Sequence, residues 1–164
     1  MNILASRSLP QPISVHRAGF TLVELSVVIS IIAVLSFLAA PAMRELMANQ
    51  RVQAAAMDVY TGLIRTRSEA LKQNVDVTIA STSGNTNWAG GWTVASGGTD
   101  FEKRGASTDV TMTGSIASVT YRTSGRISAG TVPTFAISAA GTTAVRCVKV
   151  NLSGQPYVTK VACS

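Results

Sequence analysis

The sequence predicts an α+β protein: a long N-terminal helix, partly transmembrane, packed on a C-terminal antiparallel β-sheet domain. Three observations carry this prediction. An apolar run extends from Gly19 to Met43, and a stretch of strong helix formers follows it directly. From Asn74 onward, short alternating segments are separated by Gly-, Ser- and Asn-rich turns.

The apolar run decides the first element. Between Phe20 and Ala40 the only charge is Glu24, and only Thr21, Ser26, Ser30 and Ser36 interrupt the apolar residues. About 20 such residues at 1.5 Å per residue match a hydrocarbon thickness of roughly 30 Å. The alternative, a buried core helix of this length, is out of proportion in a chain of 164 residues. Glu24 is costly inside such a span unless it is paired, protonated or near a boundary, so it is a functional candidate. Ahead of it, residues 1–19 hold Arg7, His16 and Arg17 and no apolar run of signal-peptide length. A secretory signal places its small-residue cleavage site after the apolar region. Here the small residue, Gly19, comes first. A cut there leaves the apolar segment on the mature chain with a free amine at Phe20, a natural partner for a carboxylate four residues on, in the same chain or a neighbour.

The run Arg17-Ala18-Gly19-Phe20-Thr21-Leu22-Val23-Glu24 closely resembles the class III signal of type IV pilins and type II secretion pseudopilins. The resemblance implies cleavage by a prepilin peptidase after Gly19, N-methylation of Phe20, and a role for Glu24 in neutralising the terminal amine of an adjacent subunit during assembly. It also implies an inner-membrane protein, N-terminus inside, with a periplasmic C-terminal domain and other pilins or pseudopilins as partners. On this reading residues 1–19 are the leader, 20–43 the transmembrane or filament-core helix, 44–73 its amphipathic continuation and 74–164 the β domain.

Pro41 ends the apolar run and lacks an amide donor, so a kink is expected there. Beyond it, residues 43–73 are rich in Ala, Leu, Met, Glu, Gln and Arg, which favour helix. Met43, Leu46, Met47, Met57, Tyr60, Ile64 and Leu71 recur at helical spacing and are expected to form the packed face. Gly62 weakens the middle. One helix from about Phe20 to Gln73 results.

Val75, Val77 and Ile79 alternate with polar residues as in a strand with one buried face. Ser81–Gly91 is a loop by composition, with Trp88 expected exposed and Trp92 buried at the start of a second strand, Trp92–Val94. A turn at Ser96–Asp100 follows, and Asp100 and Glu102 are expected in a solvated loop rather than at a calcium ion. Val110–Met112, Ile116–Tyr121 and Phe135–Ile137 are further strands. The last two, Ala144–Leu152 and Tyr157–Cys163, flank the turn Ser153-Gly154-Gln155-Pro156 and make a hairpin.

About 120 residues remain outside the leader and the span, enough for one domain with one core. Charged residues are only 13%, but apolar runs persist to the C-terminus, which excludes a disordered tail. Cys147 and Cys163 form one disulfide if the domain lies in an oxidising compartment; two separate buried thiols are the alternative. From Val110 to Ser164 the basic residues Arg122, Arg126, Arg146, Lys149 and Lys160 stand without a single acid. They are candidate anion-binding residues, with a solvated basic face as the plainer alternative.

The element order, the Gly91-Trp92 strand and the final hairpin resemble the GspH/FimT group of minor pilins and pseudopilins, and the cysteine spacing around the last turn is most similar to the FimU type of minor pilin. DNA-binding FimT-type members carry Gly-Arg-x-Arg in that turn. Here it reads Gly154-Gln155-Pro156-Tyr157, which argues against nucleic acid as a partner. Enzyme chemistry finds no foothold: the single histidine, His16, lies in the leader, and no nucleophile elbow, Ser-x-x-Lys pair or phosphate loop is present. No cofactor and no metal are expected. The resemblance implies a minor type IV pilin that primes or joins pilus assembly, with a GspH-like secretion pseudopilin or a DNA-binding minor pilin as alternatives.

Overall fold

The computed structural model describes residues 19–128 and 130–163. The expected leader, residues 1–18, lies outside them. Helix α1 spans Leu22–Gln73, followed by β1 (Val77–Ser81), β2 (Trp92–Ser96), β3 (Thr99–Arg104), β4 (Thr111–Gly114), β5 (Ser118–Tyr121), β6 (Thr134–Ser138), β7 (Arg146–Val150) and β8 (Pro156–Thr159). The chain divides into two compact units at Ala39/Ala40.

In the first unit, helix begins at Leu22 and every described residue is exposed, with the apolar side chains from Phe20 to Leu38 among them. Its mean hydropathy reaches 2.6 over 18 residues, sufficient by length and composition to cross a membrane. Pro41 lies within α1, just past the unit boundary.

In the second unit, α1 packs against two antiparallel four-stranded sheets, ordered β3-β2-β1-β5 and β4-β6-β7-β8. The packed face differs from the expected one. Ala48, Val52, Ala55, Ala56, Val59, Gly62, Leu63, Thr66 and Ala70 are buried, whereas Met43, Leu46, Met47, Met57 and Leu71 are about half exposed. Small residues win this face because they let the helix axis come close to the sheets, and the bulkier side chains are left to its flanks. The one polar member, Thr66, donates its hydroxyl to the Gly62 carbonyl at 2.7 Å, so no group is stranded.

Gly62 is therefore more than a weak point in the helix. A Cβ there would lie 2.7 Å from the Trp92 ring and 3.1 Å from Ile79 Cδ1. Alanine would gain about 1 kcal/mol of helix propensity against about 1–3 kcal/mol of overpacking. Trp92 is buried and cannot swing away. Gly62→Ala is accordingly expected to lower the thermal midpoint of the detergent-solubilised chain, and Gly62→Leu to lower it further; a raised midpoint for Gly62→Ala would show that the ring yields.

Two expectations about the first sheet need correction. Thr99–Arg104 is strand β3, not loop. Gly97 and Gly98, at φ 56° and 85°, form a two-residue hairpin loop that returns the chain at once, pairing Ser96 with Thr99. Trp88, expected exposed, is 1% exposed. The loop carrying it folds back along the second sheet: Trp88 N donates to Met112 O at 2.9 Å, and Gly114 N donates to Thr86 O at 2.8 Å. The indole sits edge-on to Phe135, centroids 4.7 Å apart, and Nε1 donates to Ile116 O at 2.9 Å. A tryptophan with its N–H satisfied is as good a core residue as phenylalanine. The remaining strands shift by one to four residues at their ends. Val75 is exposed ahead of β1, and Cys163 lies beyond β8 rather than on it.

Candidate functional site

The N-terminal candidates gather at one helix end. Gly19 and Phe20 precede the helix, exposed and non-helical, and Thr21 is the residue before its first turn. Glu24 N donates to Thr21 Oγ1 at 3.2 Å, while Thr21 N and Thr21 Oγ1 donate to Glu24 Oε2 at 3.3 and 3.2 Å. This is a reciprocal capping box, satisfying two otherwise unpaired amides with a carboxylate placed at the positive end of the helix dipole. It stops the helix short of the Gly19–Phe20 bond and holds the Glu24 carboxylate at the helix rim. Thr21 was not among the expected site residues; the Thr-x-x-Glu spacing is the signal for it.

At the other end of the chain, Cys147 and Cys163 are disulfide-bonded, with Cα atoms 5.2 Å apart. Cys147 is buried on β7, opposite Thr159 of the edge strand β8. The bond thus carries the tail back past β8 and closes a loop of 16 residues around an edge that would otherwise fray. Cys163→Ser is expected to cost about 3 kcal/mol of stability. Thermal melts with and without reductant check this: wild type should fall to the level of the variant on reduction, and the variant should not respond.

The five candidate basic residues do not form one patch. Arg146 and Lys160 line a shallow recess with Gln53, Ala56, Met57 and Val158. Arg122 and Arg126 flank a turn whose Gly125 touches Arg67 and Leu71. Along α1 these two places are separated by about 20 Å. Lys149 is on β7, on the opposite strand face from Val148 and Val150.

The acids near the first sheet are engaged by the helix. Arg65 pairs with Glu102 at 3.2 Å, Arg104 with Asp58, and Arg51 approaches Asp109 at 3.9 Å. These exposed pairs add little stability individually. Among the described residues no three of His, Cys, Asp or Glu come together. A recess of about 370 Å³ between α1 and the β2–β3 edge contains the Asp58–Arg104 pair and Lys103 over the walls of Trp88 and Trp92. Tyr121 is fully buried, and burial pushes its hydroxyl well above the usual tyrosine range, against a smaller opposing effect of the Arg67 charge.

Residues 15–40 match the prokaryotic N-terminal methylation motif. Residues 55–154, more than half of the chain, match the family described as type II transport protein GspH. The chain belongs to the GspH family. Two crystal structures of the type IV minor pilin FimU of Pseudomonas aeruginosa PAO1 are similar to this GspH-family protein. One, a hexagonal form, superposes with a TM-score of 0.58 at 25% identity, covering 65% of this chain and 91% of that one. The other, a monoclinic form, gives 0.60 at 23% identity, covering 67% and 89%, and bears on the fold alone. No curated protein matches. Family and fold are those of pilin structural subunits, which assemble with other pilins. The apolar helix with its methylation motif anchors such a chain in a membrane, with the β domain as its soluble part.

Proposed function

We propose that this GspH-family protein is a minor type IV pilin, a non-enzymatic subunit that primes or joins a filament after prepilin peptidase processing. The observation that carries this reading is the likeness to FimU over 91% of that structure, in a chain that also has the methylation motif. Cleavage follows Gly19, Phe20 becomes the methylated terminus, and residues 20–43 hold the subunit in the inner membrane with the domain in the periplasm. Pro41 bends the helix at the end of the apolar run. On extraction, that run exchanges lipid for neighbouring helices, apolar surroundings in both states. Glu24 then sets register by pairing with the Phe20 amine of another subunit, because either charge left unpaired there is costly. The half-exposed Met43, Leu46, Met47 and Met57 add apolar surface for neighbours beyond the span.

The family's own description, a type II transport protein, favours a second reading as a secretion pseudopilin. Immunoblots of sheared surface filaments and membranes, from wild type and a prepilin-peptidase null, separate the two. Processed protein in the filaments, with only the longer form in the null, is the expected result. Processed protein confined to the membrane would favour the secretion machine, and no peptidase-dependent size change would overturn both.

A further inference from the structure

The turn between β5 and β6 holds two like charges face to face. Arg122 N donates to Arg126 O at 2.9 Å, Gly125 N donates to Arg122 O at 2.8 Å, and Gly125 has φ 71°. Tyr121 and Ile127 bridge just below, both pointing into the core. This is a three-residue hairpin loop closed by a glycine bulge, in which Arg122 and Arg126 are direct cross-strand neighbours on the solvent side, about 5 Å apart at Cβ. Like charges so placed repel. Turn geometry does not demand them. The β7–β8 turn is built the same way: Asn151 N donates to Gln155 O at 3.1 Å, Gly154 N donates to Asn151 O at 2.9 Å, and Gly154 has φ 83°. There the equivalent positions are the neutral Asn151 and Gln155.

The arginine turn is also held rigidly. Arg67 Nε donates to Gly125 O at 3.0 Å, and Gly154 is pressed so closely on that carbonyl that a Cβ would come within 2.1 Å of it. Arg67 thereby adds a third positive charge behind the turn. The three ion pairs among the described residues involve none of these arginines; one acid, Asp76, lies one step past the Val77–Tyr121 pair and so beside Arg122 on its β1 side, exposed and outside those three pairs.

We propose that Arg122 and Arg126 form a clamp for one carboxylate, that of an acidic side chain on a neighbouring subunit. The proposal rests on the reading of this chain as an assembling subunit. Two guanidinium forks on a fixed turn suit a single planar oxyanion, and preorganisation lowers the cost of capturing it. A nucleic acid would need a continuous basic track. The next basic pair, Arg146 and Lys160, is instead about 20 Å away along α1.

The test places a photocrosslinking p-benzoylphenylalanine at Thr123, between the arginines, in the full chain in cells that assemble it. The expected adduct is with another pilin-type subunit, mapping beside an Asp or Glu. Arg122→Glu with Arg126→Glu should cut its yield about tenfold or more, and Arg122→Gln with Arg126→Gln should also reduce it while leaving the thermal midpoint unchanged or higher. Changing the mapped acid to lysine should restore the adduct in the Glu pair. Undiminished crosslinking in either pair, an adduct far from any acid, or a nuclease-sensitive adduct would overturn the clamp. Leader processing and filament content are read on the same blots. A charge-dependent adduct formed only in membranes would therefore support the clamp while removing the pilus reading.

Discussion

Replacing Trp88 with alanine is expected to remove about 3–5 kcal/mol of folding stability, the range for truncating a fully buried aromatic. Against a total of roughly 5–15 kcal/mol, such a loss is a large share of what holds the second unit folded. The expectation rests on position as much as on size. Trp88 joins the two sheets: its loop leaves β1 of the first sheet, its backbone bonds to Met112 on β4 of the second, and its ring closes on Phe135 of β6. Room for the ring is made by Gly114, where a Cβ would meet Nε1 at 2.4 Å. Trp88→Phe keeps part of the contact but strands the Ile116 carbonyl, which receives the indole N–H, and should fall about 1–3 kcal/mol short of wild type. Urea unfolding of the solubilised full chain, followed by near-UV circular dichroism, checks both. An alanine variant as stable as wild type would mean that the loop and its ring are not part of the cooperative core.

That tryptophan also shows where the sequence could and could not be read. The helix was legible almost to the residue, because the apolar run reaches Met43 and a stretch rich in helix formers continues from there to Gln73. Strand β1 was legible because Val77 and Ile79 alternate with polar residues on one buried face. Strand β3 was not, since Thr99–Arg104 lies at a sheet edge and carries four charges, of which Glu102 and Arg104 reach back to Arg65 and Asp58 of the helix, and so charged an edge strand looks like loop. Trp88 was misread because its neighbours are loop residues; nothing local says that the loop returns to the second sheet. The helix face was misread for the opposite reason. Methionines and leucines at helical spacing outweigh alanines in any hydrophobic pattern, yet close packing on two sheets favours the alanines.

The candidate site residues divide in the same way. Gly19, Phe20 and Glu24 were visible because a linear motif holds them, and the structure adds Thr21 because a capping box is also linear. The basic residues were visible only as a count over 55 positions. Their division between a recess and a turn depends on strand order, which no local pattern encodes.

Glu24→Ala is expected to leave leader processing intact and to reduce filament incorporation by more than tenfold, since an unpaired buried charge costs about 3–5 kcal/mol. Alanine alone cannot prove the cause. Glu24 also caps the helix through Thr21, and losing a cap costs about 0.5–2 kcal/mol. Glutamine separates the two roles, because it serves in a capping box but carries no charge to offer an amine. If pairing with the Phe20 amine of a neighbour is what Glu24 supplies, Glu24→Gln should fail in assembly as fully as Glu24→Ala. Thr21→Ala, which breaks the cap and spares the charge, should then assemble at close to the wild-type level. The reverse pattern, glutamine active and Thr21→Ala inactive, would make Glu24 a helix cap and leave the neighbour's amine without its proposed partner. Quantitative blots of sheared filaments, normalised to processed protein in the membrane, distinguish the two patterns.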